Sequence, residues 1–185
     1  MAAISGASGA VYGVRMLERL RALPEVETHL ILTRAGEKTA FLELGKKAAD
    51  IRDLADYSYP VEDVSCRLAS GSFLFQTMIV APCSIRAMSA IAGGVSSDLL
   101  VRAADVALKE RRRLILMVRE TPLHLGHLRT MAALAEMGAV IAPPVPAFYH
   151  HPRTIEEMVD HSLDRVFDLA GIPDPAIRRW EGPEK

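Results

Sequence analysis

Short, nearly continuous apolar runs alternate along this chain with longer stretches in which apolar residues recur every three or four positions. The first pattern suits strands buried on both faces, the second amphipathic helices. Residues 2–5 (AAIS) read as a short first strand. Residues 10–23 then carry Val11, Val14, Leu17 and Leu20 on one helical stripe. VETHLILT (26–33) is a second strand and RAGEKTAFLELGKK (34–47) a second helix. Residues 48–76 are less regular, with YSYP and ASGS as punctuation. TMIVAP (77–82) is a strand stopped by proline, and CSIRAMSAIAGG (83–94) a helix closed by two glycines. A stronger helix follows over 97–112, with Ser97 as its expected N-cap. LILMV (114–118) is a buried strand, 125–138 a helix closed by Gly138, AVIAP (139–143) a last strand and 154–171 an amphipathic helix. Repeated strand–helix alternation predicts one α/β domain over 1–185, a three-layer, doubly wound parallel sheet. Ligands of such folds bind beyond the carboxyl ends of the strands, which directs attention to 5–9, 33–36, 82–87, 119–122 and 143–149.

Composition narrows the function classes. The chain has 185 residues, half of them hydrophobic and 24% charged, with net charge −1, so nothing favours nucleic acid or an anionic membrane. Only KERRR (109–113) is locally basic. Cys66 and Cys83 lie far apart without a CxxC, which fits a reducing cytoplasm rather than a zinc site or disulfide framework. No apolar run approaches the ~20 residues of a membrane span, and no signal-peptide pattern opens the chain.

Chemistry concentrates at the strand ends. In ISGASGA (4–10) two glycines and two hydroxyls precede a helix, where free N–H groups attract an anion and small residues admit a ligand. A tight turn without a ligand would look the same. Thr33 in LTRAG and Ser84 in APCSIRA are each explained as N-caps, yet three hydroxyl-bearing strand ends side by side suit an extended, phosphate-bearing ligand such as a mononucleotide. Arg102 and Lys109 are seven apart on one helical face with Asp105 between them: a solvated ion-paired face, or two cations aimed at a phosphate. Arg119 and Glu120 end the most hydrophobic strand, as an edge ion pair or as a proton carrier beside an anion clamp. Tyr149 lies in a proline-framed loop, and His124 and His127 are too few to hold a metal alone.

Taken together, GASGAVYG, ASGS, PCSI, RAADVALKERR, RETPLHLGHL, GAVIAPPVPAFYH and a final GIP…RW resemble the UbiX-type flavin prenyltransferases, formerly described as 3-octaprenyl-4-hydroxybenzoate carboxy-lyases or aromatic acid decarboxylases. The match runs in order over nearly the whole chain. The resemblance implies a flavodoxin-like (Rossmann-like) flavoprotein that binds FMN, needs no metal, and joins a dimethylallyl group from dimethylallyl monophosphate to reduced FMN. A fourth ring closes across the flavin's nitrogen-5 and ring carbon 6. The prenylated FMN serves UbiD-type decarboxylases, for example in ubiquinone biosynthesis, and family members are commonly homododecamers with sites shared between subunits.

Carried over by position, Gly6, Ala7, Ser8, Thr33, Ser84, Ile85, Arg86, Ala87 and Arg119 would contact FMN. Arg102, Lys109, Tyr149, Arg165 and Trp180, with Glu120 close by, would bind the dimethylallyl phosphate, and the segment around Ser70 to Ser72 would close the site. The resemblance makes GASG a close-approach loop beside the flavin ring more than a phosphate cradle. Arg102, Lys109 and Arg165 would stabilise the leaving phosphate, and Glu120, or phosphate relayed through Ser8, would take the proton from carbon 6. Ser5 stands where threonine is more usual, and only three residues precede Ile4, an expected weakening of the first strand. The rival readings are a non-catalytic FMN carrier and a flavin-dependent cysteine decarboxylase of the same fold; the latter's asparagine-containing segment is absent from APCSIRAMS.

Overall fold

The structure, a computed structural model, describes residues 1–148 and 151–177. Six strands lie parallel in the order β3-β2-β1-β4-β5-β6: β1 (Ala2–Ile4), β2 (His29–Leu32), β3 (Tyr57–Tyr59), β4 (Thr77–Cys83), β5 (Arg113–Val118) and β6 (Val140–Ile141). The helices are α1 (Ala10–Arg21), α2 (Arg34–Leu44), α3 (Ala48–Arg52), α4 (Ile85–Ala92), α5 (Leu99–Lys109), α6 (Leu125–Glu136) and α7 (Ile155–Ala170), with a 3-10 turn at Arg67–Ala69.

Successive strand residues feed two separate cores, as period-two geometry requires. Ala2, Ile4, Leu30, Leu32, Ile79, Ala81, Ile115 and Met117 pack with α1 and α7. Ala3, Ile31, Met78, Val80, Leu114, Leu116 and Val118 pack with α4, α5 and α6. This two-sided burial is why the strands read as unbroken apolar runs, and it is the doubly wound arrangement expected.

Three features differ from the sequence reading. The irregular stretch 48–76 contains α3 and the edge strand β3. Tyr57 and Ser58 are exposed, so β3 carries no burial signal; pairing with β2 and stacking of Tyr57 on His29 (4.9 Å, 9°) define it. Asp98, not Ser97, caps α5, accepting from the Val101 N–H at 3.0 Å. The first strand is not weakened: all three residues are buried, it pairs with β2 and β4, and the Met1 carbonyl accepts from Ile79 N–H at 3.0 Å.

Candidate active site

The chain winds outward from β1 through β2 to β3, then restarts at β4 and winds the other way to β6. The crevice at the tips of β1 and β4 is therefore the topological switch point, where doubly wound sheets hold ligands. Ser5 welds these two tips together. Its hydroxyl is buried, donates to the Pro82 carbonyl at 2.7 Å and accepts from the Ser84 N–H at 2.8 Å. Ser5 is thus a fastener between strands, not the ligand donor its place in the glycine-rich turn suggests.

The turn itself has two different glycine requirements. A Cβ on Gly6 would collide with the Cβ of Ala35 at the start of α2, so the close approach is to the protein's own helix. Gly9 adopts φ 96°, the left-handed region that glycine enters without strain. The anion expected at the N-terminus of α1 is present and is internal: the Glu43 carboxylate of α2 accepts from Gly9 N–H (2.9 Å) and Ala10 N–H (2.9 Å). Burial pushes the Glu43 carboxyl's pKa up. Hydrogen bonds from the Ser8 side chain and from the Ala10 and Gly9 N–H groups, together with the charge of Arg119, outweigh it and hold the group below its ordinary value of 4.5. Ser8, Glu43 and Arg119 therefore share one electrostatic cluster at the switch point. Sequence reasoning missed Glu43 because it lies 33 and 34 residues from the groups it caps. The only available signal was a helix N-terminus with no acid in its first turn.

The neighbouring tips repeat a simpler device. Thr33 Oγ1 accepts from Gly36 N–H at 3.0 Å, and Ser84 Oγ from Ala87 N–H at 3.3 Å. Both are N-caps, and accepting leaves each hydroxyl proton free to donate outward. Ala87 is buried, Ile85 half-buried, and Arg86 exposed. At the tip of β5, Arg119 N–H donates to the Cys83 carbonyl at 3.0 Å and the Glu120 carboxylate accepts from Thr121 N–H at 2.9 Å, with both side chains exposed. The following helix is capped by His124, whose Nδ1 accepts from Gly126 N–H at 3.0 Å.

Arg102 lies near the start of α5 and Lys109 at its end. Helix α5 descends to the opposite edge of the sheet, where β5 starts. There Lys109 Nζ pairs with Glu110 Oε1 at 2.6 Å, and both side chains lie against Gly71. Arg102 donates through Nε to the Ala69 carbonyl (3.1 Å) and through Nη1 to Asp105 Oδ2 (2.7 Å). Ser70 and Ser72 bond to each other in the same loop at 2.8 Å. Arg112 is occupied by this loop, donating to Phe73 and Gly71 carbonyls at 2.6 Å each. Arg165 is exposed on α7, against the other sheet face, where it lines a groove of about 470 Å³ with Pro143, Pro144 and Val145. Tyr149 and Trp180 lie outside the described residues.

One chain thus brings Gly6, Ala7, Ser8, Thr33, Ser84 to Ala87, Arg119 and Glu120 to one edge, and Lys109 to the other. The six residues of β5 separate Lys109 from Arg119 by roughly 20 Å. Arg102 and Arg165 lie on opposite faces. Among the described residues no group of three or more His, Cys, Asp or Glu could hold a metal ion, and no helix is long and apolar enough to cross a membrane.

Comparison with known proteins gives a consistent picture. Residues 1–166 match the family model described as Flavoprotein. The chain is 48% identical over 181 residues to the flavin prenyltransferase UbiX of Escherichia coli K12, covering 97% of this chain and 96% of that protein. It superposes on AnUbiX, crystallised with FMN and dimethylallyl pyrophosphate, with TM-score 0.96 and 45% identity over 99% of this chain and 97% of that one. It superposes equally well on a dodecameric FMN-dependent UbiX-like decarboxylase of E. coli O157:H7, with TM-score 0.95 and 44% identity over 98% of both chains.

Proposed function

Because the chain belongs to the UbiX-type flavin prenyltransferases of the flavoprotein family, we propose that it transfers a dimethylallyl group from dimethylallyl monophosphate to reduced FMN, making the prenylated cofactor of a UbiD-type decarboxylase. The observation that carries the reading is the meeting of Ser8, Glu43 and Arg119 at the β1–β4 switch point, flanked by two N-cap hydroxyls with donor capacity to spare. This edge suits FMN on its own geometry. Gly6 lets α2 pack close against the β1 tip, and Thr33, Ser84 and the exposed Arg119 offer donors to an anionic, oxygen-rich ligand. Ser8 and Ala7 would lie along the ring and Ser84 to Ala87 along the other side.

Reduced flavin supplies the electron-rich centre to which an allyl group is joined. The chain's residues do the rest. Arg102, Lys109 and Arg165, with Tyr149, hold the ester's phosphate and stabilise the charge that grows on it as the carbon–oxygen bond lengthens. Glu120 receives a proton at its carboxylate. Glu43 positions Ser8 by accepting its hydroxyl hydrogen bond, and Trp180 is assigned to the prenyl group from its place in the sequence alone.

The cations and the flavin edge belong to different copies of the chain. The span between Lys109 and Arg119 within one protomer supports this, and the poorly buried α6 offers contact surface: Leu125 (59% exposed), Leu128 (49%) and Met137 (50%) follow it or lie on it, and only Leu134 is buried. We therefore assign a homo-oligomer, a dodecamer like the UbiX-like relative, acting in the cytoplasm as one domain per chain.

Anaerobic incubation with reduced FMN and dimethylallyl monophosphate, followed by mass measurement of the flavin, tests the activity. One added five-carbon unit is expected. Unchanged FMN would favour the carrier or the cysteine decarboxylase. Mixing Lys109→Ala with Glu120→Gln chains, dissociating and reassembling them, should restore part of the activity that neither has alone. No recovery would place the whole site within one chain.

A further inference from the structure

The two cations assigned to the phosphate carry two carboxylates with them. Asp105 Oδ2 is 2.7 Å from Arg102 Nη1, and Glu110 Oε1 is 2.6 Å from Lys109 Nζ. For anion binding alone this is a handicap, since the four groups sum to zero formal charge. The pairs are not needed to hold the fold. Their side chains are 34–43% exposed, and exposed pairs contribute little to stability. Arg112 adds its charge beside Glu110, but its guanidinium is committed to the Gly71 and Phe73 carbonyls and lies over the Phe75 ring at 4.4 Å, so those N–H groups are not available to an anion. The backbone already orients Arg102 through the Ala69 carbonyl, so Asp105 is not required to aim it.

We infer that Asp105 and Glu110 are selectivity-setting counter-charges, which hold Arg102 and Lys109 until an ester arrives and favour a monophosphate over a diphosphate. The inference rests on the assignment of Arg102 and Lys109 to the ester's phosphate. A bound phosphate takes the place of the carboxylates on the two cations, and the displaced carboxylates stay within a few ångströms because each is anchored close by in sequence. Their repulsion scales with ligand charge. A phosphate monoester carries about −2 at neutral pH, and a diphosphate ester about one unit more. The same pair of carboxylates therefore weakens the diphosphate more than the monophosphate. Lys109 keeps the Glu110 carboxyl ionised, first by hydrogen bond and then by charge, so the counter-charge is present throughout the neutral range.

The test uses the FMN-loaded protein and competitive inhibition of prenyl transfer by inorganic phosphate and by pyrophosphate. Asp105→Asn and Glu110→Gln keep size and remove charge. Each should tighten phosphate inhibition about threefold and pyrophosphate inhibition about sixfold, with the double variant near tenfold and thirtyfold at low salt, and the gain should shrink as salt rises. The ratio of kcat/KM for the diphosphate ester to that for the monophosphate ester should rise in step. Unchanged inhibition constants, equal gains for both anions, or weaker binding of both would each overturn the proposal, the last by making the carboxylates simple props for the cations. Arg102→Ala and Lys109→Ala form a separate arm. If neither weakens inhibition by phosphate, the phosphate assignment itself is wrong, a failure the carboxylate variants alone would not reveal. FMN retention and melting temperature, unchanged in every variant, report that the fold is intact.

Discussion

The two edges of the sheet handle polar groups in opposite ways. At the strand tips Ser5, Thr33, Ser84 and Glu43 are bonded to backbone groups. Ser5 bridges Pro82 and Ser84, Thr33 and Ser84 cap helices, and Glu43 closes the N-terminus of α1. Lys109 at the base, and Arg102 nearer the start of the same helix, are held by half-exposed ion pairs with neighbouring carboxylates. Backbone hydrogen bonds in a packed crevice are costly to break, whereas exposed ion pairs exchange partners at little cost. On the proposed assignment, the tip edge would serve as a fixed surface for a large planar ligand, and the α5 ion pairs as an exchangeable charge site for a small anion that must arrive and leave.

Variants should separate the two edges. Lys109→Ala or Arg102→Ala should produce the largest effect, lowering kcat/KM for the monophosphate ester by about 100-fold or more while FMN affinity stays unchanged. Loss of FMN binding in these variants would erase the distinction between the edges. Gly6→Val forces bulk against Ala35 and should destabilise the protein by about 1–3 kcal/mol, with FMN no longer retained on purification. Ser5→Ala strands the part-buried Ser84 N–H and should cost about 1–2 kcal/mol in chemical denaturation, weakening FMN before it affects the ester. An unaltered denaturation midpoint would show that the tips hold together without this hydroxyl.

Glu43→Gln should have the smallest effect at neutral pH, about 0.5 kcal/mol. Its signature is in the pH dependence. The folded carboxyl titrates below its ordinary 4.5, so its contribution is present above that value and drains as pH falls through the folded pKa. The gap in melting temperature between wild type and Glu43→Gln should therefore close as pH is lowered from 5 toward about 3. A gap independent of pH would mean that the carboxylate's charge does not stabilise the turn. Asp160 contributes in the same direction: burial raises its pKa, but the hydrogen bond and charge of Arg15 bring it below 3.8.

The sheet's central strands were legible because burial on both faces marks all but the first residue, as in β4 and β5. Helix ends were legible where a cap is local, as at Thr33 and Ser84. β3 was not, since an exposed edge strand is defined by its partner, and Asp98 displaced Ser97 because caps one residue apart differ only in backbone geometry. The candidate site was legible as residue types at strand ends, but not as spatial groupings.

The amino-acid sequence by itself determined the α/β class and the family, and directed attention to the strand tips, because period, capping and ordered motifs are all short-range properties of the chain. Only the tertiary structure decided that Glu43 is the anion of the first turn, that Ser5 faces inward, and that Lys109 and Arg119 stand at opposite ends of one strand. Those facts depend on how helices and strands far apart in the chain are packed, and contact across tens of residues leaves no periodic trace in a single sequence.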